Sequence, residues 1–182
     1  MGNRMVNLGK RIMVMGSSGS GKSTMARQLG EALGLPVVHG DTLSYQPGWV
    51  QTPRDELERT FRAVAAQREW VIDGNYRKRA FEYRFERADT VIFLDFNRFT
   101  CLYRVFKRRV MYHNKTRPDM GKGCNERITW WLAKWIWTYP KRTRGSVIAW
   151  LGEIKPPKQV YHLKGSRAVR EFLREIKKGG CD

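Results

Sequence analysis

The sequence lacks the features that mark membrane-spanning and secreted proteins. Its 182 residues contain no apolar run of the roughly 20 residues that would cross a bilayer. The basic start, with Arg4, Lys10 and Arg11, is not followed by a signal peptide's apolar stretch and cleavage site, because the apolar run breaks at Gly16. We therefore expect neither a transmembrane segment nor an export signal.

Cysteine is scarce as well. Cys101, Cys124 and Cys181 lie far apart and form no CxxC pair, so free thiols in a reducing, cytoplasmic compartment are expected. The sequence also has no internal repeat, low-complexity tract or long linker, which favours one domain over residues 1–182.

Acidic residues are few for a chain with so many basic ones. Seventeen Asp and Glu face 35 Lys and Arg, giving a formal net charge of +18. Residues 98–144 alone hold 13 basic and two acidic side chains. Such a field attracts polyanions, whether nucleotides, phosphorylated metabolites or nucleic acid, and composition does not choose among them.

Short β-rich runs alternate with helical patterns, which is typical of βαβ units and a parallel sheet. Strands are predicted at 11–15, 36–39, 70–73, 90–95 and 159–163. Helices are predicted at 22–33, 53–68, 98–113, 128–139, 141–151 and 166–177, with Pro140 separating the fourth from the fifth. The polar, glycine-bearing residues 115–125 are predicted to form a flap.

The strongest motif follows the first predicted strand and opens the first predicted helix. It fits GxxxxGK[ST] at every fixed position and is followed by Thr24; its residues are Gly16, Ser17, Ser18, Gly19, Ser20, Gly21, Lys22 and Ser23. Glycines let the backbone curl so that successive N–H groups point at phosphate oxygens. We expect Lys22 to bind the β- and γ-phosphates of ATP and Ser23 to bind Mg²⁺.

Aspartates lie at or just beyond the ends of three other predicted strands, at the sheet edge where ligands bind in such folds. Asp73 is a candidate to hold Mg²⁺ through water, and Asp41 to position or deprotonate a substrate hydroxyl. For both residues the alternative is capping of the next helix or turn, and capping is the preferred interpretation of Asp95.

The basic segment suggests a lid over the phosphates. Arg117 lies in the predicted flap. The flanking helices add further candidates for phosphate contact and charge neutralisation: Arg104, Arg108, Arg109, Arg142 and Arg144. Taken singly, each arginine is more commonly explained by a solvated helix face, whereas the density of the group favours ligand contact for two or three of them. Four tryptophans, Trp130, Trp131, Trp135 and Trp137, crowd one helix, which either packs on its neighbour, touches a membrane surface or stacks on bases.

The chain resembles the adenylate-kinase-like branch of P-loop kinases, and more closely the bacterial family of DNA topology modulation proteins (FlaR-type). The blocks that carry the resemblance are GSSGSGKST (16–24), HGDTL (39–43), PGWV (47–50), WVIDGNY (70–76), DTVIFLDF (89–96), CLYRVFKRR (101–109), KTRPDMGKGC (115–124) and YPKRTR (139–144). Adenylate kinases continue their Asp-Gly pair with Phe-Pro-Arg where this chain has Asn75-Tyr76-Arg77, so the resemblance does not extend to an AMP site.

The resemblance implies a three-layer α/β P-loop fold with a five-stranded parallel sheet and a helical, arginine-rich lid at about 115–127. It implies ATP and Mg²⁺ as cofactors, with Asp73 orienting the magnesium and Arg167 near the adenine. The expected function is transfer of the ATP γ-phosphoryl group to a small nucleotide-like or hydroxylated acceptor. The alternative is an ATP-switched regulator that binds nucleic acid.

Overall fold

The computed structural model describes residues 8–75, 79–113, 120, 123–125 and 128–179. Its strands are β1 (Arg11–Gly16), β2 (Val37–His39), β3 (Tyr45–Gln46), β4 (Val50–Gln51), β5 (Trp70–Asp73), β6 (Thr90–Asp95) and β7 (Gln159–Lys164). Its helices are α1 (Lys22–Leu33), α2 (Gly40–Ser44), α3 (Arg54–Ala65), α4 (Arg79–Arg87), α5 (Arg98–Met111), α6 (Trp130–Tyr139), α7 (Gly145–Glu153) and α8 (Gly165–Gly179).

Five of the strands form one parallel sheet in the order β2-β5-β1-β6-β7. Successive side chains of a strand point to opposite faces, and β1 shows the consequence. Ile12 and Val14 pack in the hydrophobic cluster on one face of the sheet, whereas Met13 and Met15 pack in the cluster on the other face. The predicted three-layer α/β fold with a five-stranded parallel sheet is confirmed.

The parallel register brings the carboxyl ends of three central strands to one edge of the sheet. Gly16 at the end of β1 pairs with Leu94 in β6, and Val14 pairs with Asp73 at the end of β5. The loop that follows β1 therefore begins beside the last residues of both neighbouring strands. This edge positions the candidate site.

The structure differs from the sequence prediction in four places. The short helix α2, the two-stranded antiparallel hairpin β3–β4 and the helix α4 were not expected. The expected separation at Pro140 is wrong, because a π-helical turn, Pro140–Arg144, joins α6 to α7 without a break. Proline lacks an N–H and normally disrupts an α-helix, but it is tolerated where a wider turn begins. In the described part of the chain, no helix is long and apolar enough to cross a membrane.

The π-helical turn is anchored to the sheet by a buried carboxylate. Asp95 ends β6 and accepts hydrogen bonds from Nε and Nη2 of Arg144, at 2.8 and 2.7 Å, and from Nε2 of His162 at 2.8 Å. Burial raises the pKa of Asp95, but the hydrogen bonds and charges of Arg144 and His162 outweigh burial and lower that pKa. Asp95 thus links two strands to the helical layer instead of capping the next helix, whose N-cap is Asn97.

We predict that Arg144→Gln lowers the free energy of unfolding by about 1–2 kcal/mol near pH 7, since Asp95 keeps its buried charge and loses two donors. Denaturant unfolding measures the change. Because the pKa of Asp95 is lower in the folded protein than in the unfolded chain, its ionisation stabilises the fold at pH values above the ordinary aspartate pKa of about 3.9. This stabilisation is lost as the pH falls through the lowered pKa. The difference between variant and wild type should therefore shrink below about pH 4.

Arg142→Gln is the matched control, because Arg142 lies in the same turn but is exposed, with its guanidinium 5.9 Å from the centre of the Trp135 ring. We expect its effect to stay below about 0.5 kcal/mol. Equal losses in the two variants would contradict the anchoring role of Arg144.

Candidate functional site

The loop between β1 and α1 is packed so closely that it has no room for side chains at two glycines. A Cβ atom on Gly16 would lie 2.7 Å from the backbone oxygen of Leu94 in β6. Gly19 has φ +79°, and its Cβ would collide with the backbone oxygen of Cys101 in α5. The loop therefore fits between β6 and α5 only with glycine at these positions, as the motif requires.

Asn75 holds the start of this loop. Its side chain accepts a hydrogen bond from the Gly16 N–H at 3.0 Å and donates one to the Gly16 backbone oxygen at 2.6 Å. The pair ties the end of β1 to the residues after β5. This role of Asn75 is not predicted from the sequence, although an amide two residues beyond the strand-end Asp73 is a signal that could have indicated it.

Lys22 brings a positive charge into this constricted loop. Its Nζ donates to the Ser17 backbone oxygen at 3.0 Å. Burial lowers the pKa of Lys22, and the charge of Arg108 lowers it further, while the charges of Asp41 and Asp73 act in the opposite direction. An anion placed in the loop would stabilise the ammonium form, because it would offset the cost of burial.

The Asp73 side chain, at the end of β5, is hydrogen-bonded to the Ser23 side chain. Its carboxylate accepts hydrogen bonds from His39 Nδ1 at 2.9 Å and from the Gly40 N–H at 3.2 Å. Burial raises the pKa of Asp73, but hydrogen bonding and charge from His39, the charge of Lys22 and a hydrogen bond with Ser23 lower it overall. Asp73 is thus held as a carboxylate beside the Ser23 hydroxyl.

These residues fit a Mg²⁺–triphosphate group. A hydroxyl and a carboxylate supply the hard oxygen donors that Mg²⁺ prefers, and phosphate oxygens and water complete its shell. Ser20 Oγ is buried and has no hydrogen-bond partner among the described residues, so it is available to donate to a phosphate oxygen. No group of three His, Cys, Asp or Glu residues is placed to hold a metal in that part of the chain.

A cleft of about 750 Å³ runs along the carboxyl edge of the sheet beside the loop. On one side it is bounded by Arg104, which donates to the Ser20 backbone oxygen at 3.0 Å and to Ser166 Oγ at 3.2 Å. Its guanidinium stacks over Phe96 at 4.3 Å. Arg104 therefore joins the loop, α5 and the start of α8 around one wall of the cleft.

The other end of the cleft is lined by Asp41 of α2 and by two aromatic residues of the hairpin region, Tyr45 and Trp49. The two rings meet edge to face at a centroid distance of 5.2 Å. Trp49 Nε1 donates a hydrogen bond to the Asn125 backbone oxygen at 3.0 Å. The Gly48 N–H donates one to the Gly123 backbone oxygen at 3.2 Å. Part of the segment between α5 and α6 thus contacts the hairpin.

The structure brings most of the predicted site residues together. The predicted residues that line the cleft are Ser18, Gly19, Ser20, Gly21, Lys22, Ser23, Thr24, Asp41, Asp73, Arg104 and Arg108. Gly16 and Ser17 form the buried base of the loop. Arg117 and most of the predicted lid, 115–127, lie outside the described residues.

Four candidate arginines are not among the described residues that line the cleft: Arg109, Arg142, Arg144 and Arg167. Arg142 stacks near Trp135, and Arg144 binds Asp95. Arg167 is 87% exposed and pairs with Glu171 at 2.8 Å, four residues along α8. Arg104 and Arg170 do line the cleft.

The fold has similar solved structures at low sequence identity. A gluconokinase from Sinorhizobium meliloti 1021 is 18% identical, with a TM-score of 0.54 over 96% of this chain and 93% of its own. A shikimate kinase from Acinetobacter baumannii, in complex with shikimate, is 13% identical, with a TM-score of 0.55 over 96% of this chain and 94% of its own. A putative kinase from Chloroflexus aurantiacus j-10-fl is 13% identical, with a TM-score of 0.53 over 94% of this chain and 98% of its own.

These similarities support the predicted P-loop kinase fold. No family model matches the chain, and no curated protein matches its sequence. The closer resemblance to DNA topology modulation proteins therefore stays a prediction.

We predict that Gly19→Ala lowers the free energy of unfolding by about 2–4 kcal/mol and abolishes MgATP binding, because the added Cβ forces the loop away from α5. Gly34→Ala is the matched control: Gly34 also has positive φ, at +67°, but no atom lies within 4 Å of its Cβ position. It should cost about 1 kcal/mol and leave MgATP binding intact. Denaturant unfolding and calorimetric titration measure both effects, and wild-type affinity in Gly19→Ala would contradict the prediction.

Proposed function

We propose that this chain is an ATP-dependent phosphotransferase that acts on a small nucleotide-like or hydroxylated acceptor. The observation that carries the proposal is the alignment of Lys22, Ser23, Asp73 and Asp41 along one cleft of sufficient size for a nucleotide and an acceptor. Motors and switches share the phosphate loop, but a carboxylate facing an aromatic-lined pocket beyond the loop suits a second substrate.

Mg²⁺ and ATP fit the loop end of this cleft. The backbone N–H groups of the loop and the Lys22 ammonium would hold the phosphates, while Ser23 and Asp73 would hold the metal. Bound Mg²⁺ would supply charge neutralisation between the phosphate oxygens. Arg108 also lines the cleft and lies near enough to Lys22 to affect its pKa. Arg108 therefore suits stabilisation of the charge on the transferring group.

Asp41 is placed to handle the acceptor. Asp41 lies in the first turn of the short helix α2 and lines the cleft beside Tyr45. The preceding strand, β2, ends at His39, which forms a hydrogen bond with Asp73. In this role the Asp41 carboxylate accepts the hydrogen bond of the attacking hydroxyl and takes up the proton as the phosphoryl group is transferred. Tyr45 and Trp49 offer apolar ring faces on which the ring of a sugar, cyclic polyol or nucleoside can pack.

The names of two similar structures agree with a small acceptor, since one is a gluconokinase and another a shikimate kinase with shikimate bound. At 18% and 13% identity they support the fold and not a particular substrate. The nucleic-acid-binding alternative stays a prediction that rests on the net charge of +18 and on the tryptophan-rich helix α6. It requires binding to DNA or RNA that weakens steeply with salt.

We predict acceptor-dependent ADP production when the full chain is screened with MgATP against nucleosides, nucleotides and small hydroxylated metabolites. Lys22→Ala should reduce the rate at least about a hundredfold without unfolding the protein, because the cleft loses its charge on the phosphates. Lys155→Ala, an exposed change before β7, is the control and should retain wild-type turnover. Normal turnover in Lys22→Ala would exclude this mechanism.

We predict that Asp41→Asn lowers kcat with the acceptor so identified by about 10²–10⁴-fold, because the amide cannot take up the proton. The KM for ATP should change little, since Asp41 lies beyond the loop. Asp55→Asn on the exposed start of α3 is the matched control. A change confined to the KM for the acceptor would show that Asp41 only binds it and is not the base.

A further inference from the structure

The helices α5 and α6 carry a large exposed apolar surface that the proposed phosphoryl transfer does not use. On α5 it comprises residues at a spacing of four, three and four, which places them on one helical face. On α6 it comprises two residues one heptad apart. The members of this surface, called the aromatic face below, are Phe99, Tyr103, Phe106, Val110, Trp130 and Trp137.

The exposure of these side chains is unusually high for their size. Phe99, Tyr103, Phe106 and Val110 are each 62–66% exposed, and Trp130 is 82% exposed. Single exposed apolar residues are common, but a contiguous set of this kind marks a binding surface.

The aromatic face is continuous across the two helices. Phe99 and Trp137 meet edge to face at a centroid distance of 5.7 Å. The Arg98 guanidinium stacks over the Trp137 ring at 4.2 Å and near the Phe99 ring at 5.5 Å. Beneath this contact, Cys101 and Ile136 are buried in the core, so the two helices are fixed with their outer sides exposed together.

The charge around the aromatic face has one sign. Neither α5 nor α6 contains an aspartate or glutamate. Lys107 lies between Tyr103 and Val110 on the helical stripe of α5 and is exposed, and Lys134 lies between Trp130 and Trp137 on α6 and is exposed. Aromatic rings and ammonium groups therefore alternate on the same surface.

This combination favours an anionic occupant. A second copy of the chain would bring two cationic faces together, which is repulsive for a protein of net charge +18. Nucleic acid would meet the lysines, but Val110 and the neighbouring Met111, 61% exposed, have no ring to stack on bases. Aliphatic and aromatic side chains interleaved with lysine match the boundary between acyl chains and anionic headgroups.

We propose that the aromatic face of α5 and α6 docks on membranes that contain anionic lipid, with the apolar side chains entering the interface and Lys107 and Lys134 contacting headgroups. Both helices lie on the surface in this arrangement, and neither crosses the bilayer. The proposal is independent of phosphoryl transfer, because none of the six members of the aromatic face has a role in the cleft.

The test is co-sedimentation of the full chain with vesicles of phosphatidylcholine containing about 30% phosphatidylglycerol, at about 0.1 M salt, against vesicles of phosphatidylcholine alone. We expect saturable binding to the anionic vesicles and at least tenfold weaker binding to the neutral ones, with the bound fraction falling as salt is raised. Absence of binding to the anionic vesicles under these conditions would overturn the proposal.

Two double variants separate the apolar and the charged contributions. Phe106→Ser with Trp130→Ser should weaken vesicle binding at least about tenfold, because the inserted rings are lost. Lys107→Gln with Lys134→Gln should weaken it about twenty-five-fold, at about fivefold for each lysine near an anionic surface. All four side chains are exposed, so the folded state should survive both changes, and far-ultraviolet circular dichroism checks it.

Lys10→Gln with Lys155→Gln is the charge-matched control. Both residues are exposed and precede strands β1 and β7, so they lie at the amino edge of the sheet, away from the carboxyl edge where α5 begins. Equal weakening in the control would show that net charge alone attracts the protein and would overturn the docking face. Displacement of the protein from vesicles by a DNA or RNA oligonucleotide, or a dimer that requires Phe106 and Trp130, would overturn it in favour of another partner.

Discussion

The close packing of the phosphate loop against β6 and α5 is the constraint on which the site depends. Without a side chain at Gly16 or Gly19, the loop reaches the Leu94 and Cys101 backbones and holds Lys22 and Ser23 at the carboxyl edge of the sheet. Asn75 fixes the same loop to the end of β5 through both its amide atoms. The parallel register of β1 and β5 then places Asp73 next to this loop, so the arrangement of the strands determines the arrangement of the site.

Charge in the cleft is arranged around this loop. Burial disfavours the ammonium form of Lys22, and nearby carboxylates only partly compensate. Asp73 remains ionised because His39, Lys22 and Ser23 stabilise its charge against burial. An anionic nucleotide would stabilise the buried ammonium group of Lys22, which the nearby carboxylates compensate only in part. Its metal ion would be held by the Asp73 carboxylate and the Ser23 hydroxyl.

The sequence was sufficient to predict the five sheet strands, the loop and most of its neighbours, because buried apolar runs such as 90–95 and a motif with fixed glycines carry local signals. It did not reveal α4 or the hairpin, whose strands have only two residues each. The interpretation of Pro140 failed because the tolerated π-helical turn depends on tertiary support from Arg144 and Asp95. The roles of Asn75 and Arg104 depend on contacts between distant residues, which one sequence does not display.

We propose that the cleft transfers a phosphoryl group and does not merely bind or hydrolyse ATP. Phosphorus NMR of the full chain with MgATP and a pool of sugars, cyclic polyols, nucleosides and nucleoside monophosphates tests phosphoryl transfer most directly, because it follows the fate of the γ-phosphorus. We expect loss of the γ-phosphate signal with equal growth of ADP and of a phosphorylated-acceptor signal. Unchanged ATP, or ADP accompanied only by inorganic phosphate, would contradict it.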